Sequence, residues 1–473
     1  GNVLQEYLHT LCAVFPATMG AVTVGLLPAE MWLSPGGEKL PEKSTTTFTL
    51  PFTGIEVTLH LQDFFGLGVV YGALIAGVSL QLIGRRSSMA LYDVLLTYTL
   101  AIHVWPGQAS RLAMWNRMFM GIAVGALSAI IPIYVCEMSH HKLKNKLMLL
   151  LPVFVAVGAS CGRAIGSAEY EAPLRSHVFG NVAQYVPLFA CFCGCWATAH
   201  AFASCLIPES PHYLLGGTCW DDPDDGRVSY TMLRRERFDG GPTKRSSVSE
   251  QQIRLPWNPF CAPGILSDGK NRKALLTGIG YMFVNQVCGI NISVPFMSRV
   301  LEMTGSCVRL QTLRSSLSID VIQVIMAIIA MTIIDKVGRK LLLIFSVMLM
   351  SVSSGGLVVC FVLMKLKIDI PDSLDWLPLC LIGIYICAYS IGLSPMAWVV
   401  TSEIFSIQVR PYGMSITTAA HWMSVYFILY VRDGVFNAVK VDNFLISIYA
   451  LGLLLALFFE FFTPKMHVGS LKI

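Results

Sequence analysis

Two short stretches of the chain could form reversible ion pairs, and each of them occurs twice. "LIGRR" (82–86) and "DKVGRK" (335–340) each join two apolar segments through a glycine and a run of bases. "YVCEMSHHKLK" places an acid seven residues before a base, and "TSEIFSIQVR" repeats that spacing. Acids and bases at neighbouring helix ends can pair, and glycine permits a tight turn between them. The alternative is that the bases only anchor helix ends beside the membrane.

Because both motifs are duplicated, we favour a group of ion pairs that forms and breaks, and we call it the ion-pair latch. Its predicted members are nine charged residues of these four stretches and one base near the start of another apolar run. They are Arg85, Arg86, Arg117, Glu137, Lys144, Asp335, Arg339, Lys340, Glu403 and Arg410.

Three carboxamides interrupt a further apolar stretch, "VNQVCGIN". Asn285, Gln286 and Asn291 have offsets that fall mostly toward one side of a helix. A polar group in an apolar span is costly unless it faces a cavity or a partner. A carboxamide both donates and accepts hydrogen bonds. We therefore predict that the three side chains line a polar pocket. The alternative for each one alone is a hydrogen bond between helices.

The elements that position these residues are predicted to be membrane-spanning helices. The chain has 473 residues, of which 54% are hydrophobic and 13% are charged, about half the charged fraction of a typical soluble protein. A helix needs about 20 apolar residues to cross a bilayer, and continuous apolar runs exclude the alternating strands of a barrel. We predict an all-α polytopic membrane protein with twelve transmembrane helices. The spans are residues 8–33, 60–83, 87–106, 112–135, 147–167, 183–207, 272–301, 315–334, 340–364, 376–401, 412–431 and 443–462.

The distribution of charge orients these spans. Connectors after the second, fourth, eighth and tenth spans are basic, whereas the segments after the first and ninth are acidic or mixed. Basic connectors stay in the cytoplasm, so both termini are predicted to be cytoplasmic. The chain begins with Gly1 rather than Met, and we expect residues to precede it. The predicted domains are an N-terminal six-helix bundle (1–207), a cytoplasmic linker (208–271), a C-terminal six-helix bundle (272–463) and a cytoplasmic tail (464–473). Two six-helix halves are typical of transporters built from repeats.

Other classes of function find little support in the sequence. The net charge of +5 follows from the basic connectors, so we expect no nucleic-acid partner. The cysteines of "CFCGC" (191–195) lie in an apolar span where alternate residues point to different faces of a helix. We therefore expect no metal, and we predict neither a cofactor nor an enzymatic activity.

Ordered motifs along the chain resemble those of the sugar porter family of the major facilitator superfamily. They are "GRR" (84–86), "NRMFMGIAVGALSAIIPIYVCE" (116–137), "PESPHYLL" (208–215), "NQVCGIN" (285–291), "DKVGRK" (335–340), "SIGLSPMAWVVTSEIF" (390–405) and "AAHWMS" (419–424). Within that family the chain resembles the animal facilitated glucose transporters and the insect trehalose transporters. The resemblance implies a major facilitator fold with two pseudo-symmetric bundles and one sugar site.

The resemblance also implies which residues bind sugar. The substrate-binding residues carried over to this chain are Asn285, Gln286, Asn291, Gln323, Trp398, His421 and Trp422. Carboxamides suit sugar hydroxyls, and an indole ring offers a flat face to a sugar ring. Two positions depart from the hexose pattern. Pro152 stands where hexose carriers have Gln, and His421 replaces Asn.

The function implied is facilitated transport of a hexose or trehalose by alternating access, with the latch closing the cytoplasmic side. Residues 7–29 contain no acid, which favours a uniporter over a proton-coupled symporter, the lesser alternative. A sugar sensor or a non-transporting homologue is the main alternative. The expected setting is the plasma membrane, with the lipid bilayer and a small sugar as partners and a monomer as the functional unit.

Overall fold

The computed structural model describes residues 45–49, 56–104, 110–139, 144–170, 188–210, 213, 269–288, 312–366, 377–405 and 409–438. Two short strands precede a series of long helices. The strands are β1 (Thr45–Thr49) and β2 (Glu56–His60). The helices are α1 (Leu61–Leu82), α2 (Arg85–Val104), α3 (Ser110–Met138), α4 (Lys144–Tyr170), α5 (Leu188–Leu206), α6 (Gly269–Val287), α7 (Thr312–Val337), α8 (Arg339–Lys365), α9 (Leu377–Ile391), α10 (Leu393–Ile404) and α11 (Arg410–Ala438).

The helical character predicted from the apolar runs is confirmed. Each predicted span from the second to the eleventh contains a helix of the described residues, and the span at 376–401 is divided into α9 and α10. The predicted spans 8–33 and 443–462, and the end of 272–301, lie outside the described residues. The count of twelve therefore stays a prediction.

Four helical segments of the described residues are long and apolar enough to cross a membrane. They are Phe64–Leu82, Met114–Met138, Leu341–Cys360 and Cys380–Ile404. The most apolar window of the second is 89% buried inside the protein, against 39% to 61% for the other three. Helix α3 is thus an interior helix, and the other three expose much of their apolar surface, as lipid-facing helices do.

A β-hairpin precedes α1, in a connector where the sequence analysis predicted no secondary structure. Strands β1 and β2 pair antiparallel, with Thr45 opposite His60 and Thr49 opposite Glu56. Both strands are rich in β-branched and aromatic side chains, which favour extended backbone. The hairpin ends where the span predicted for 60–83 begins, so it is the one addition to an otherwise helical fold among the described residues.

The chain divides into two compact units. The first unit comprises residues 1–279 and 398–423, and the second comprises residues 280–397 and 424–473. In the first unit α1 packs along α3, and α2 packs against α3 and α5. In the second unit α9 packs against α7 and α8. The division into two six-helix bundles remains a prediction.

Helices α1 and α3 approach each other through glycines. A Cβ atom on Gly72 would lie 2.1 Å from the carbonyl oxygen of Ile122, and one on Gly125 would lie 2.0 Å from that of Val69. Gly68 and Gly121 are equally close to the facing backbone. Small residues allow such contact between helices, which is a main source of helix association in membranes.

The duplicated glycines of "LIGRR" and "DKVGRK" have the same backbone conformation. Gly84 has a φ of 86° and Gly338 a φ of 85°, and each separates one helix from the next. Left-handed φ values favour glycine, which lacks a Cβ atom. The structure therefore gives both copies of the motif the same turn.

Helix α9 ends beside a serine of α8. The hydroxyl of Ser346 donates to the carbonyl of Ala388 (2.7 Å) and accepts from the N–H of Leu393 (3.3 Å). A Cβ atom on Gly392 would lie 2.2 Å from that of Ser346. Pro395 has no N–H to continue the helical hydrogen bonds. Glycine, proline and the inserted serine together explain the junction between α9 and α10.

Candidate functional site

Arg85 and Glu137 form a buried ion pair between α2 and α3. Arg85 Nε lies 2.9 Å from Glu137 Oε2, and Nη2 lies 3.1 Å from Oε1. The two residues are 4% and 7% exposed. Arg85 Nη1 also donates to the carbonyl of Leu80 at 3.2 Å. Two parallel bonds to one carboxylate make this the strong, directional kind of ion pair.

Glu209, which lies just beyond α5, holds the start of α2. Its carboxylate accepts the backbone N–H groups of Arg85 (2.9 Å), Arg86 (3.1 Å) and Ser210 (2.9 Å). A carboxylate at a helix N-terminus satisfies N–H groups that have no partner within the helix. Burial raises the pKa of the Glu209 carboxyl, although these N–H groups and Arg85 act in the opposite direction. The Ser210 hydroxyl donates to Glu137 Oε2. We call Arg85, Arg86, Glu137, Glu209 and Ser210 the charged cluster.

Other predicted latch residues lie outside this cluster. Lys144 Nζ pairs with Glu403 Oε1 at 3.3 Å, and both side chains are partly exposed. Arg117 precedes Glu137 by 20 residues on the same helix, a separation of about 30 Å, so the structure does not bring it to Glu137. Arg410 is 9% exposed, and its buried Nε has no hydrogen-bond partner in the part of the chain that the structure describes. The side chains of Asp335, Arg339 and Lys340 lie outside the described residues.

Three predicted substrate-binding residues form an aromatic cluster in the first unit. The ring centroids of Trp398 and His421 are 5.0 Å apart, and those of His421 and Trp422 are 5.5 Å apart with perpendicular planes. Trp422 Nε1 donates to the hydroxyl of Ser128 on α3 at 3.0 Å. His421 is buried, whereas both indoles are half-buried. The cluster thus offers apolar ring faces beside hydrogen-bonding nitrogens.

The predicted carboxamides belong to the second unit. Asn285 and Gln286 are each 2% exposed near the end of α6, and Asn285 Oδ1 is buried without a hydrogen-bond partner among the described residues. Gln323 is half-buried on α7, and Asn291 lies outside the described residues. A buried oxygen without a partner is rare in proteins, and it is a feature that a binding site explains.

A polar group between α2 and α5 was not predicted from the sequence. Asp93 Oδ2 lies 2.7 Å from His200 Nδ1 and 3.2 Å from the Ser204 hydroxyl, and all three residues are buried. His200 and Ser204 are four residues apart in an apolar helix, so they share one face. The spacing of His200 and Ser204, together with an acid in a neighbouring span, could have predicted this group from the sequence. Glu209 and Ser210 of "PESP" were also missed as members of the charged cluster.

Metal binding finds no support in the described residues. They contain no group of three or more His, Cys, Asp or Glu side chains placed to hold a metal ion. The buried residues Cys136, Cys193 and Cys288 are free thiols, which behave as small apolar side chains.

Comparison with known proteins agrees with these features. The family model described as "Sugar (and other) transporter" matches residues 57–472. A facilitated trehalose transporter of Bombyx mori is 24% identical over 467 residues, which are 98% of this chain and 85% of the relative. The sugar transporter ERD6-like 8 of Arabidopsis thaliana is 26% identical over 79% of this chain and 76% of its own.

Solved structures show the fold. The proton:xylose symporter XylE bound to 6-bromo-6-deoxy-D-glucose superposes with a TM-score of 0.70 at 20% identity, covering 98% of this chain and 97% of the other. FucP in its outward conformation gives a TM-score of 0.58 at 13% identity, covering 96% and 98%. These proteins are membrane transporters of the major facilitator superfamily. With its family match extending over most of its length, this chain is a multi-pass membrane protein with the major facilitator fold and belongs to the sugar (and other) transporter family, whose members are transporters rather than enzymes.

Proposed function

We propose that the protein is a facilitative sugar carrier, a uniporter that moves a hexose or trehalose across the plasma membrane by alternating access. Buried hydrogen-bonding groups in apolar helices are the observation that carries this proposal. Asn285 and Gln286 are buried on α6, and Asn285 Oδ1 has no hydrogen-bond partner among the described residues. A sugar hydroxyl supplies the donor that such an oxygen requires.

The aromatic cluster supplies the apolar part of the proposed site. The indole rings of Trp398 and Trp422 both lie beside His421, and an indole suits the apolar face of a sugar ring. Asn291 and Gln323 complete the proposed set of binding residues. Relatives named as facilitated trehalose transporters support trehalose as one candidate substrate. His421 and Pro152, which depart from the hexose pattern, support it as well.

Charged residues at helix ends supply the proposed latch. The pair of Lys144 and Glu403 is partly exposed, so water can replace it when the carrier opens to the cytoplasm. The Arg85–Glu137 pair is buried, so in this proposal it differs from the latch pairs that break, and it stays intact through the cycle. In this proposal both termini are cytoplasmic and one polypeptide is the functional unit.

Coupling to protons is the second candidate mechanism. Residues 7–29 contain no acid, and the carboxylate of Asp93 is engaged by His200 and Ser204. These observations favour the uniporter.

The test is uptake of labelled glucose, fructose and trehalose into cells that lack their own carriers. A uniporter equilibrates its sugar without accumulating it, and a protonophore leaves its rate unchanged. Accumulation that a protonophore abolishes would establish a symporter, and surface-expressed protein without uptake would establish a non-transporting homologue.

Gln286→Ala tests the proposed site. It removes a buried hydrogen-bonding group from α6, and we expect uptake to be lost while surface expression is retained. Leu276→Ala on the same helix is the control, because Leu276 is 65% exposed and contributes no polar group. A Gln286→Ala variant that transports at the parental rate would exclude Gln286 from the site.

A further inference from the structure

One polar contact in the first unit joins a predicted substrate-binding residue to a serine that the sequence analysis did not single out. Trp422 Nε1 on α11 lies 3.0 Å from the hydroxyl of Ser128 on α3. The same hydroxyl lies 2.7 Å from the carbonyl oxygen of Gly125, one turn earlier on α3. Ser128 is 4% exposed, so water does not compete freely for either bond.

The chemistry of the two partners fixes the direction of both bonds. A carbonyl oxygen only accepts, and an indole N–H only donates. The Ser128 hydroxyl therefore donates its proton to Gly125 and accepts the proton of Trp422. Because its proton is held by Gly125, a lone pair is directed toward the indole. The Ser128 hydroxyl is thus oriented to accept the N–H of Trp422.

The position of Ser128 is itself fixed by packing. Gly125 contacts the backbone of α1 so closely that a Cβ atom there would lie 2.0 Å from the carbonyl oxygen of Val69. The turn of α3 that carries Ser128 is therefore held against α1. The hydrogen bond to Ser128 fixes the direction of the Trp422 N–H. The edge-to-face contact with His421, whose ring centroid is 5.5 Å away, limits rotation of the indole about that bond.

We propose that Ser128 is a positioning residue for sugar binding, which sets the plane of the Trp422 indole that the sugar contacts. This inference rests on the proposed function, because it assigns Ser128 to the same site. Losing the bond frees the indole to take other orientations, so it weakens sugar binding more than it slows the transport cycle. One hydrogen bond of ordinary strength corresponds to about fivefold in affinity.

The first test measures KM and kcat of sugar uptake for Ser128→Ala, Ser128→Thr, Trp422→Phe and the double variant Ser128→Ala/Trp422→Phe. Ser128→Ala is expected to raise KM about fivefold with kcat changed less. Ser128→Thr keeps the hydroxyl and is expected to stay within about twofold of the parent, because Thr can also bond a carbonyl of the preceding turn. Phe has no N–H, so adding Ser128→Ala to Trp422→Phe is expected to change KM no further.

Ser353→Ala is the matched control. Ser353 is 1% exposed, and its hydroxyl donates to the carbonyl of Leu349 on its own helix at 2.8 Å. Its loss removes a buried serine hydroxyl of the same kind, and KM is expected to stay at the parental value. Effects of Ser128→Ala and Trp422→Phe that multiply in the double variant would overturn the inference, and so would a KM change in Ser353→Ala equal to that of Ser128→Ala.

A second readout needs no sugar. Indole emission depends on the environment of the ring, so Ser128→Ala is expected to shift the fluorescence of the purified full-length parent and to leave that of Trp422→Phe unchanged. Equal shifts in both backgrounds, or no shift in either, would overturn the positioning role. If the parent transports no sugar while the shift is specific to Trp422, the proposed function fails and the contact between Ser128 and the indole stands.

Discussion

Arg85 and Glu137 are held in a site where neither charge reaches water. Their side chains are 5% and 0% exposed and are joined by two hydrogen bonds. A buried ion pair contributes modestly to stability when intact, but removing one partner leaves an uncompensated charge. The two residues therefore depend on each other far more than the partly exposed pair of Lys144 and Glu403 does.

Glu137→Gln tests this dependence. The amide keeps the shape of the side chain but removes the charge opposite Arg85, and we expect a loss of about 3–5 kcal/mol in the free energy of unfolding. Thermal unfolding of the purified protein in detergent measures the effect. Glu403→Gln is the comparison, and its expected cost is below about 1 kcal/mol because water screens the pair with Lys144. Equal losses for the two variants would contradict the buried character of the Arg85–Glu137 pair.

At the scale of helices, the pairing of α1 with α3 depends on the absence of side chains. Gly125→Ala would place a methyl group 2.0 Å from the carbonyl oxygen of Val69, and the helices would have to separate. We expect a loss of about 1–3 kcal/mol, the usual cost of overpacking, measured as a lower unfolding temperature.

Gly194→Ala on α5 is the control for this substitution. Among the described residues a Cβ atom there would meet nothing within 4 Å, and alanine is the better helix former. We therefore expect its unfolding temperature to equal or slightly exceed that of the parent. A similar loss in both variants would show that helix propensity, rather than close approach, explains the glycines.

Alanine substitutions compare the two glycine turns. Both Gly84→Ala and Gly338→Ala force a methyl group into left-handed backbone, at about 1–2 kcal/mol. At Gly84 the methyl would also lie 2.7 Å from Glu209 Oε2 and 2.9 Å from Tyr213 Cε1, whereas at Gly338 it would meet nothing within 4 Å among the described residues. We expect Gly84→Ala to lower the unfolding temperature more than Gly338→Ala does. The reverse order would exclude the contact with Glu209 as a constraint on the first turn.

The helices were predictable from the sequence because the apolar runs are long and charged residues mark their ends. Helix α1 ends and α2 begins beside "GRR", as expected from the glycine and the bases. The hairpin of β1 and β2 was missed because its short strands lie in a polar connector. The pair of Asp93 and His200 was not anticipated, because its members lie 107 residues apart and meet only once the helices pack.

Ion pairs between duplicated motifs were only partly predictable. The sequence indicated which helix ends carry charges, and the structure places Glu137 and Glu403 beside bases. It could not indicate that Arg85 reaches Glu137, or that a glutamate of "PESP" binds backbone N–H groups. Those partners depend on the directions of side chains, which sequence spacing alone leaves open.

At the scale of the whole molecule, the pair of Lys144 and Glu403 joins residues from the two predicted halves of the chain. If this pair closes one side of a carrier, reversing one charge should weaken that closure and change turnover. We expect Lys144→Glu to reduce the maximal rate of uptake severalfold, and Lys144→Glu/Glu403→Lys to restore most of it, because the double reversal re-creates the attraction. The measurement is uptake corrected for surface expression. A double variant no better than the single one would remove the pair from the latch.

The turn at Gly84 differs from its copy at Gly338 in its neighbours: a Cβ atom at Gly84 would contact Glu209 and Tyr213, whereas one at Gly338 would contact nothing among the described residues. The first copy has therefore acquired a dependence that the second lacks, although the backbone is the same. Among variants generated at random and selected for folding, replacements of Gly84 should survive mainly together with a smaller residue at position 209 or 213. Replacements of Gly338 should survive alone, so the two copies of the turn are expected to tolerate substitution to different degrees.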